Sequence, residues 1–167
     1  YSSRLNQTAG VDMIAASAGN YYEGLTQAEV EKFYNKMIDP KDPRPISYGL
    51  NSKLVKKSGK IYEQTYKVGG MYTEALEKVV YWLEKAEAVA EEPLKTTIGL
   101  LIKYYKSGDL RDFDAFNISW VQDTQSNIDF VNGFTETYGD PLGFKAPWER
   151  VVNFVDKTAC ARTQIIS

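Results

Sequence analysis

Glu136 and Tyr138 are the two residues whose types and spacing most suggest chemistry in this sequence, within the stretch NGFTETYGDPLG. A β-strand predicted over residues 127–138 would place both side chains on one face, because alternate residues of a strand point the same way. That face begins with apolar Ile128 and Phe130. An unpaired carboxylate is costly to bury, so Glu136 must be paired, be protonated or face a cleft where a ligand supplies positive charge.

A substrate ammonium group would be a suitable partner for Glu136. Tyr138 could then donate its hydroxyl to a nearby carbonyl or developing oxyanion. The alternative is structural, with Glu136 paired to a lysine or arginine and Tyr138 half-buried at the strand end. Spacing alone leaves both interpretations open.

Most other site chemistries are excluded by composition. The sequence has no histidine and one cysteine, Cys160. Serine–histidine and cysteine–histidine catalysis therefore lack their base, and neither an HExxH zinc site nor a structural zinc site can be built. No phosphate-binding glycine motif is present. The chain alone is expected to bind no metal and to lack a complete catalytic apparatus.

Length and composition predict one globular domain that needs neither nucleic acid nor membrane as a partner. The 167 residues are 43% hydrophobic and 13% aromatic, with a net charge of −2 and a pI near 5.3. This leaves no basic footprint for nucleic acid, and no apolar run approaches the roughly 20 residues of a bilayer span. One cysteine favours a reducing compartment, the cytoplasm, although a periplasmic location stays open.

The predicted fold class is α+β, mainly helical with a small antiparallel β element. Residues 11–38 are predicted to be helical, with a short helix over 11–24 and a second one opened by the capping box TQAE from Thr26. Residues 47–67 are predicted to form a hairpin that turns at Ser58-Gly59.

Residues 73–121 predict three helices, because their apolar residues recur at helical spacing. Pro93 suits a first turn, Gly108 a C-terminal cap and Asp109 an N-terminal cap. Asp140 begins a DPLG turn. Residues 147–165 predict a last helix with its inner face formed by Trp148, Val151, Val152, Val155 and Ala159.

The stretch WVQD at 120–123 followed by GFTETYGDPLG at 133–143 resembles the dipeptidyl peptidase III family of zinc-dependent exopeptidases. The carrying residues are Trp120, Asp123 and the glutamate and tyrosine before the DP-x-G turn. Segments at 46–72, 76–92 and 102–120 also look like family sequence, particularly its bacterial branch. The resemblance covers most of the chain, from roughly residue 20 to 155.

The resemblance implies a two-lobed metallopeptidase that removes dipeptides from the N-terminus of short peptides. In that family, one zinc lies between the lobes, bound by histidines of an HExxGH-type helix and a later glutamate. The residue matching Glu136 helps to hold the substrate amine, and the tyrosine matching Tyr138 stabilises the transition state. This chain would then be part of the non-zinc lobe and one wall of the substrate cleft.

The zinc motifs are missing from this sequence, and it begins at Tyr1 rather than at methionine. We therefore expect a piece of a longer enzyme, inactive alone, whose partners are the remainder of the parent chain and short peptides. Apolar surface exposed on such a piece could also drive self-association. The alternatives are a stand-alone or metal-less helical peptide-binding or interaction domain, and a parent that carries an additional fused domain.

Overall fold

Helices and two small β-sheets make up residues 4–166, the part of the chain that the computed structural model describes. The α+β prediction is confirmed, and the β content exceeds the single small element expected. The helices are α1 (Met13–Ala16), α2 (Gln27–Asn35), α3 (Thr73–Val89), α4 (Leu94–Ser107), α5 (Leu110–Gln122) and α6 (Lys157–Ile166). The strands are β1 (Tyr22–Glu23), β2 (Ser52–Lys57), β3 (Lys60–Thr65), β4 (Ile128–Phe134) and β5 (Trp148–Phe154).

The N-terminal part is less helical than predicted over 11–38. The helix expected over 11–24 ends at Ala16, and Tyr22–Glu23 instead forms β1, which pairs in parallel with Leu54–Val55 of β2. Tyrosine favours a strand once a partner exists, and that partner lies about 30 residues away in sequence. The capping box of α2 is confirmed: the Thr26 hydroxyl accepts from the Glu29 amide, while the Glu29 carboxylate accepts from the Thr26 amide.

The hairpin predicted over 47–67 is confirmed with shorter strands. β2 and β3 pair antiparallel from Ser52–Thr65 to Lys57–Lys60. Ser58 and Gly59 form the turn with φ of 51° and 77°. Two successive positive φ values match the right-handed twist of the flanking strands, which is why two-residue hairpin turns adopt them.

The three helices predicted over 73–121 are confirmed as α3, α4 and α5. Gly108 ends α4 with φ of 70°, and the Asp109 side chain caps α5 by accepting from the Arg111 amide at 2.8 Å. The main core lies between these helices and β4. Its fully or almost fully buried members include Leu76, Leu101, Tyr104, Tyr105, Phe113, Phe116 and Phe134. No helix within residues 4–166 is long and apolar enough to cross a membrane.

The two predictions near the C-terminus need correction. The strand predicted over 127–138 is β4, which ends at Phe134. The helix predicted over 147–165 is instead strand β5 followed by α6 from Lys157. β5 pairs antiparallel with β4, from Phe134–Trp148 to Ile128–Phe154. The sequence WERVVNF is rich in β-branched and aromatic residues, so it takes the strand state when β4 offers its edge.

Candidate functional site

The residues singled out by the sequence lie in the loop that connects β4 to β5, residues 135–147, which we call the β4–β5 loop. The last strand pairs are Phe134–Trp148 and Gly133–Glu149. This register fixes both ends of the loop and places Glu149 beside its first residues. Gly133 leaves room for α5, since a Cβ there would lie 3.0 Å from the Phe113 ring.

Tyr138 is exposed, and its hydroxyl donates a hydrogen bond to Oε1 of Glu149 at 2.6 Å. That hydrogen bond, together with the negative charges of Glu149 and Glu136, raises the pKa of Tyr138 above its ordinary value. The positive charge of Arg4 acts in the opposite direction. Glu136, Tyr138 and Glu149 therefore form one electrostatically coupled group, which we call the Tyr138 cluster.

Glu136 is exposed, so the prediction that it continues a buried strand face is wrong. The strand has ended two residues earlier, at Phe134, and Glu136 lies outside the core. The alternation itself persists in the extended chain, because Thr135 and Thr137 are half-buried while Glu136 and Tyr138 are exposed. Two carboxylates beside a phenol can attract an ammonium group and offer a hydroxyl to a polar atom bound next to it.

The opposite side of the loop is buried and hydrogen-bonded through Asp140. Its carboxylate accepts from the Tyr22 hydroxyl at 2.6 Å and from the backbone amides of Phe144 and Lys145 at 2.8 and 2.9 Å. Its own carbonyl accepts from the Gly143 amide at 3.1 Å, which confirms the predicted DPLG turn. These bonds tie the loop to β1 and fix the conformation that presents the Tyr138 cluster.

Lys145 extends this buried side into the N-terminal half of the molecule. Its ammonium group is fully buried, donates to the Tyr34 hydroxyl and to Ser52 Oγ at 2.8 Å, and lies 3.7 Å from the Glu63 carboxylate. Burial lowers the pKa of Lys145 to about 8, while the charges of Glu63 and Asp140 oppose the shift. Burial is also the main cause that raises the pKa of Tyr34.

Trp120 and Asp123, the other two residues of the matched motif, hold the turn between α5 and β4. The Trp120 indole donates to the Asp129 carboxylate at 2.8 Å. The Asp123 carboxylate accepts from the amides of Gln125 and Ser126. Both side chains therefore position β4, which leads into the loop.

Sequence reasoning missed Glu149, Arg4 and Lys145. The helix predicted over 147–165 includes Glu149 and therefore does not indicate its position opposite Gly133 in the sheet. Arg4 comes close through chain folding over more than 130 residues, and no local pattern indicates this. A lysine between Phe144 and Ala146 was a usable signal, since an isolated cation in an apolar stretch needs buried partners.

Zinc, the metal implied by the resemblance, finds no set of ligands in this part of the chain. Within residues 4–166, no group of three or more histidine, cysteine, aspartate or glutamate side chains is placed to hold a metal ion. Cys160 is exposed on α6. The donor chemistry of these residues does not fit a zinc site.

Residues 50–166 match the sequence model of peptidase family M49. Human dipeptidyl peptidase 3 is 31% identical over 94 residues, which are 56% of this chain and 13% of the human protein. Dipeptidyl peptidase 3 of Dictyostelium discoideum is 28% identical, with 82% of this chain and 22% of that protein covered. The chain thus spans less than a quarter of the length of these curated relatives.

Two solved structures share the fold. Dipeptidyl peptidase III from Caldithrix abyssi gives a TM-score of 0.66 at 23% identity and covers 89% of this chain and 27% of its own. The enzyme from Corallococcus sp. strain EGB also gives 0.66, at 20% identity, with 98% of this chain and 31% of its own covered. At these identities the likeness concerns the fold alone.

Proposed function

We propose, because this chain belongs to peptidase family M49, that it is part of a dipeptidyl peptidase and supplies one wall of its substrate cleft. The parent enzyme would remove dipeptides from the N-terminus of short peptides. This chain would belong to the lobe that does not bind the metal. The observation that carries the proposal is the Tyr138 cluster, an exposed carboxylate and an oriented phenol within the segment that matches the family.

In this proposal Glu136 binds the free N-terminal ammonium group of the peptide. Its carboxylate is exposed, so a substrate can reach it. Binding excludes water from the cleft and thereby strengthens the attraction between the two charges. Fixing the amine also fixes how far along the peptide the cleaved bond lies, which accounts for the release of a dipeptide.

Tyr138 is proposed to stabilise the transition state. Its hydroxyl is already held by Glu149 at 2.6 Å, so the phenol is oriented before substrate arrives. When the scissile carbonyl gains negative charge, the hydroxyl can donate to that oxygen instead. A tyrosine phenol keeps its proton near neutral pH and remains a donor, and the raised pKa of Tyr138 acts in the same direction.

The metal is proposed to come from elsewhere in the parent enzyme. A zinc ion would activate the attacking water and polarise the scissile carbonyl. The residues of this chain bind and orient the peptide on the opposite side. The chain alone is therefore expected to be inactive, since one carboxylate and one phenol do not make a preorganised site.

The apolar surface of β5 supports the proposal that other parts of a parent chain are partners. Val151 is 53%, Val152 64% and Phe154 80% exposed, so both faces of this strand carry uncovered apolar side chains. Exposed apolar area of this kind usually marks an interface. In isolation the same surface would favour self-association.

The test is an assay of the full-length protein that contains this sequence, with a fluorogenic dipeptide substrate, with and without a zinc chelator. We expect chelator-sensitive release of dipeptides. Glu136→Gln should lower kcat/KM by about a hundredfold or more, since removing one partner of a desolvated charge pair is costly. Glu77→Gln is the matched control, an exposed glutamate on α3 outside the loop, and should change little.

Each result has a distinct meaning. Chelator-sensitive activity that Glu136→Gln leaves intact would return Glu136 to a structural role. Peptide binding without hydrolysis by the wild type would favour a metal-less peptide-binding protein. Neither binding nor hydrolysis would favour an interaction domain.

A further inference from the structure

A polar groove runs along α5, beside the half-buried residues at the start of the β4–β5 loop. Two cavities of about 380 and 400 Å³ form it, and both are lined by Asp114 and Asn117 of α5. Thr135 and Thr137 line the larger cavity, whereas the Tyr138 cluster lines neither. We call it the α5 groove. It is therefore separate from the candidate site described above.

Two arginines, Arg44 and Arg111, line the smaller cavity of the α5 groove. The Asp42 carboxylate accepts from the Arg111 guanidinium at 2.8 Å and from the Arg44 amide at 2.9 Å. Arg111 also donates to the Arg44 carbonyl at 3.3 Å, so the backbone around Arg44 is held against α5. Within residues 4–166 the Arg44 guanidinium forms no ion pair, and its charge is available to an anion.

Asp114 provides the opposite charge where the two cavities meet. Burial raises the pKa of Asp114, while the nearby positive charges of Arg111 and Arg44 act in the opposite direction. Neither guanidinium forms an ion pair with this carboxylate in the described part of the chain. A half-buried charge without a partner is costly, so a ligand cation beside Asp114 would be stabilised. Opposite charges thus face each other across a space that a ligand can enter.

The larger cavity of the α5 groove offers hydrogen bonds from neutral side chains. The Asn117 amide and the Thr137 hydroxyl can each donate and accept. Thr135 also lines this cavity, and its Oγ1 is buried without a hydrogen-bond partner among residues 4–166. Such a group is rare in a folded protein, and a polar ligand atom beside it would supply the missing partner.

We propose that the α5 groove binds a small zwitterion, either a free amino acid or a dipeptide, with the ligand carboxylate at Arg44 and the ligand ammonium group at Asp114. A simple cation would be repelled by the two arginines, and a simple anion by Asp114. A molecule with one charge at each end is attracted by both signs. The polar body of the ligand then lies along Asn117 towards Thr135. This site does not depend on the proposed peptidase function.

The experiment is isothermal titration calorimetry of the full-length protein with serine and with the dipeptide Gly-Ser. All proteins carry Glu136→Gln, which removes the carboxylate proposed to bind peptide amines. Asp114→Asn and Arg44→Gln are then added singly. Arg162→Gln is the matched control, because Arg162 is exposed on α6 and lies outside the groove.

We expect saturable binding of at least one of the two ligands. Asp114→Asn and Arg44→Gln should each weaken it about fivefold, the effect of losing a partly exposed charge pair. Arg162→Gln should leave it unchanged. Binding of serine would identify a free amino acid as the ligand, and binding of Gly-Ser alone would identify a dipeptide.

Ligands that lack one charge test the orientation. An N-acetylated ligand has no ammonium group, so it should bind more weakly and be insensitive to Asp114→Asn. A ligand with a C-terminal amide has no carboxylate, so it should bind more weakly and be insensitive to Arg44→Gln.

Three results would overturn the inference: no binding of either ligand, binding that both groove variants leave unchanged, or binding that only one of them weakens. The last would indicate a site for a single charge rather than for a zwitterion. None of these measurements requires that the protein release dipeptides. The proposed function can therefore fail while this inference holds, and the reverse.

Discussion

The two sides of the β4–β5 loop use the same kinds of residue for opposite purposes. On the buried side, the Asp140 carboxylate accepts a phenol and two backbone amides, and the Lys145 ammonium donates to two hydroxyls. On the exposed side, the Tyr138 cluster has one hydrogen bond between a phenol and a carboxylate, at 2.6 Å. Asp140 with Tyr22 and Glu149 with Tyr138 are chemically the same pair in two environments.

The difference shows that saturation of hydrogen bonds, rather than residue type, separates a structural group from an available one. Asp140 is 3% exposed, and its carboxylate is already engaged by the Tyr22 hydroxyl and by the amides of Phe144 and Lys145. Glu136 is exposed and has no hydrogen bond within residues 4–166, so its charge remains free to attract a cation. The buried side should therefore control stability, and the exposed side should control activity with little effect on stability.

Asp140→Ala should have the largest effect of the substitutions that test this difference. It leaves the Tyr22 hydroxyl and the amides of Phe144 and Lys145 without their acceptor in a buried place. We expect the free energy of unfolding to fall by about 3–5 kcal/mol, the usual cost of stranding several buried groups. Urea unfolding of the chain, followed by circular dichroism, measures this.

Asp156→Ala is the control for that measurement. The Asp156 carboxylate also accepts from two backbone amides, those of Thr158 and Ala159, but it is exposed. Its loss should cost about 1 kcal/mol, as for an ordinary helix cap. Equal effects of the two substitutions would contradict the view that burial makes Asp140 structural.

The second effect concerns pH and Lys145. Its pKa is about 8 in the folded chain and near 10.4 in the unfolded one. Between these values the unfolded state binds the proton and the folded state does not, so this residue makes stability rise with pH. From pH 7.5 to 9.5 the contribution is about 2 kcal/mol.

Lys145→Met removes that contribution, since methionine fills similar space without a charge. From pH 7.5 to pH 9.5, the free energy of unfolding should therefore rise by about 2 kcal/mol more in the wild type than in the variant. The difference between the proteins cancels the titration of the other lysines and of the tyrosines. A constant difference across this pH range would mean that Lys145 is neutral throughout or stays charged throughout.

The sequence predicted the helical half of the molecule better than the loop and its strands. The capping box at Thr26, the Gly108 cap and the Asp109 cap are local signals, so α2, α4 and α5 could be placed from them. The helix prediction for the β5 segment is wrong for a physical reason. The spacing of Trp148, Val151 and Val152 fits one face of a helix, while the composition of the same segment fits a strand. Only pairing with β4, a non-local contact, decides between them.

The sequence indicated two of the three residues of the Tyr138 cluster, but not their environment. Resemblance and spacing indicated Glu136 and Tyr138 together. The exposure of Glu136 could not be predicted from the sequence, because a strand pattern does not show at which residue the strand ends. Glu149 and the buried pairing of Lys145 depend on contacts across the sheet and across 93 residues from Ser52, which local patterns do not encode.

The smallest expected effect, and the sharpest test of the exposed side, comes from Glu149→Gln. The Glu149 carboxylate accepts the Tyr138 hydrogen bond and is the main cause that raises the pKa of Tyr138. A neutral amide removes the negative charge, so Tyr138 should ionise at lower pH. NMR of ring-labelled tyrosine resolves this titration, and Tyr138→Phe identifies the signal by removing it.

Glu149→Gln should leave the urea midpoint unchanged, in contrast with Asp140→Ala, because the pair that it breaks is exposed. In the full-length enzyme kcat should fall by about tenfold with little change in KM, since a phenol that is less well held is misplaced for the transition state rather than for binding. If the role of Glu149 were purely structural, Glu149→Gln would lower the free energy of unfolding and would change neither the Tyr138 titration nor kcat. That result would make the Glu149–Tyr138 pair an exposed equivalent of Asp140–Tyr22, and the distinction between the two sides of the loop would no longer hold.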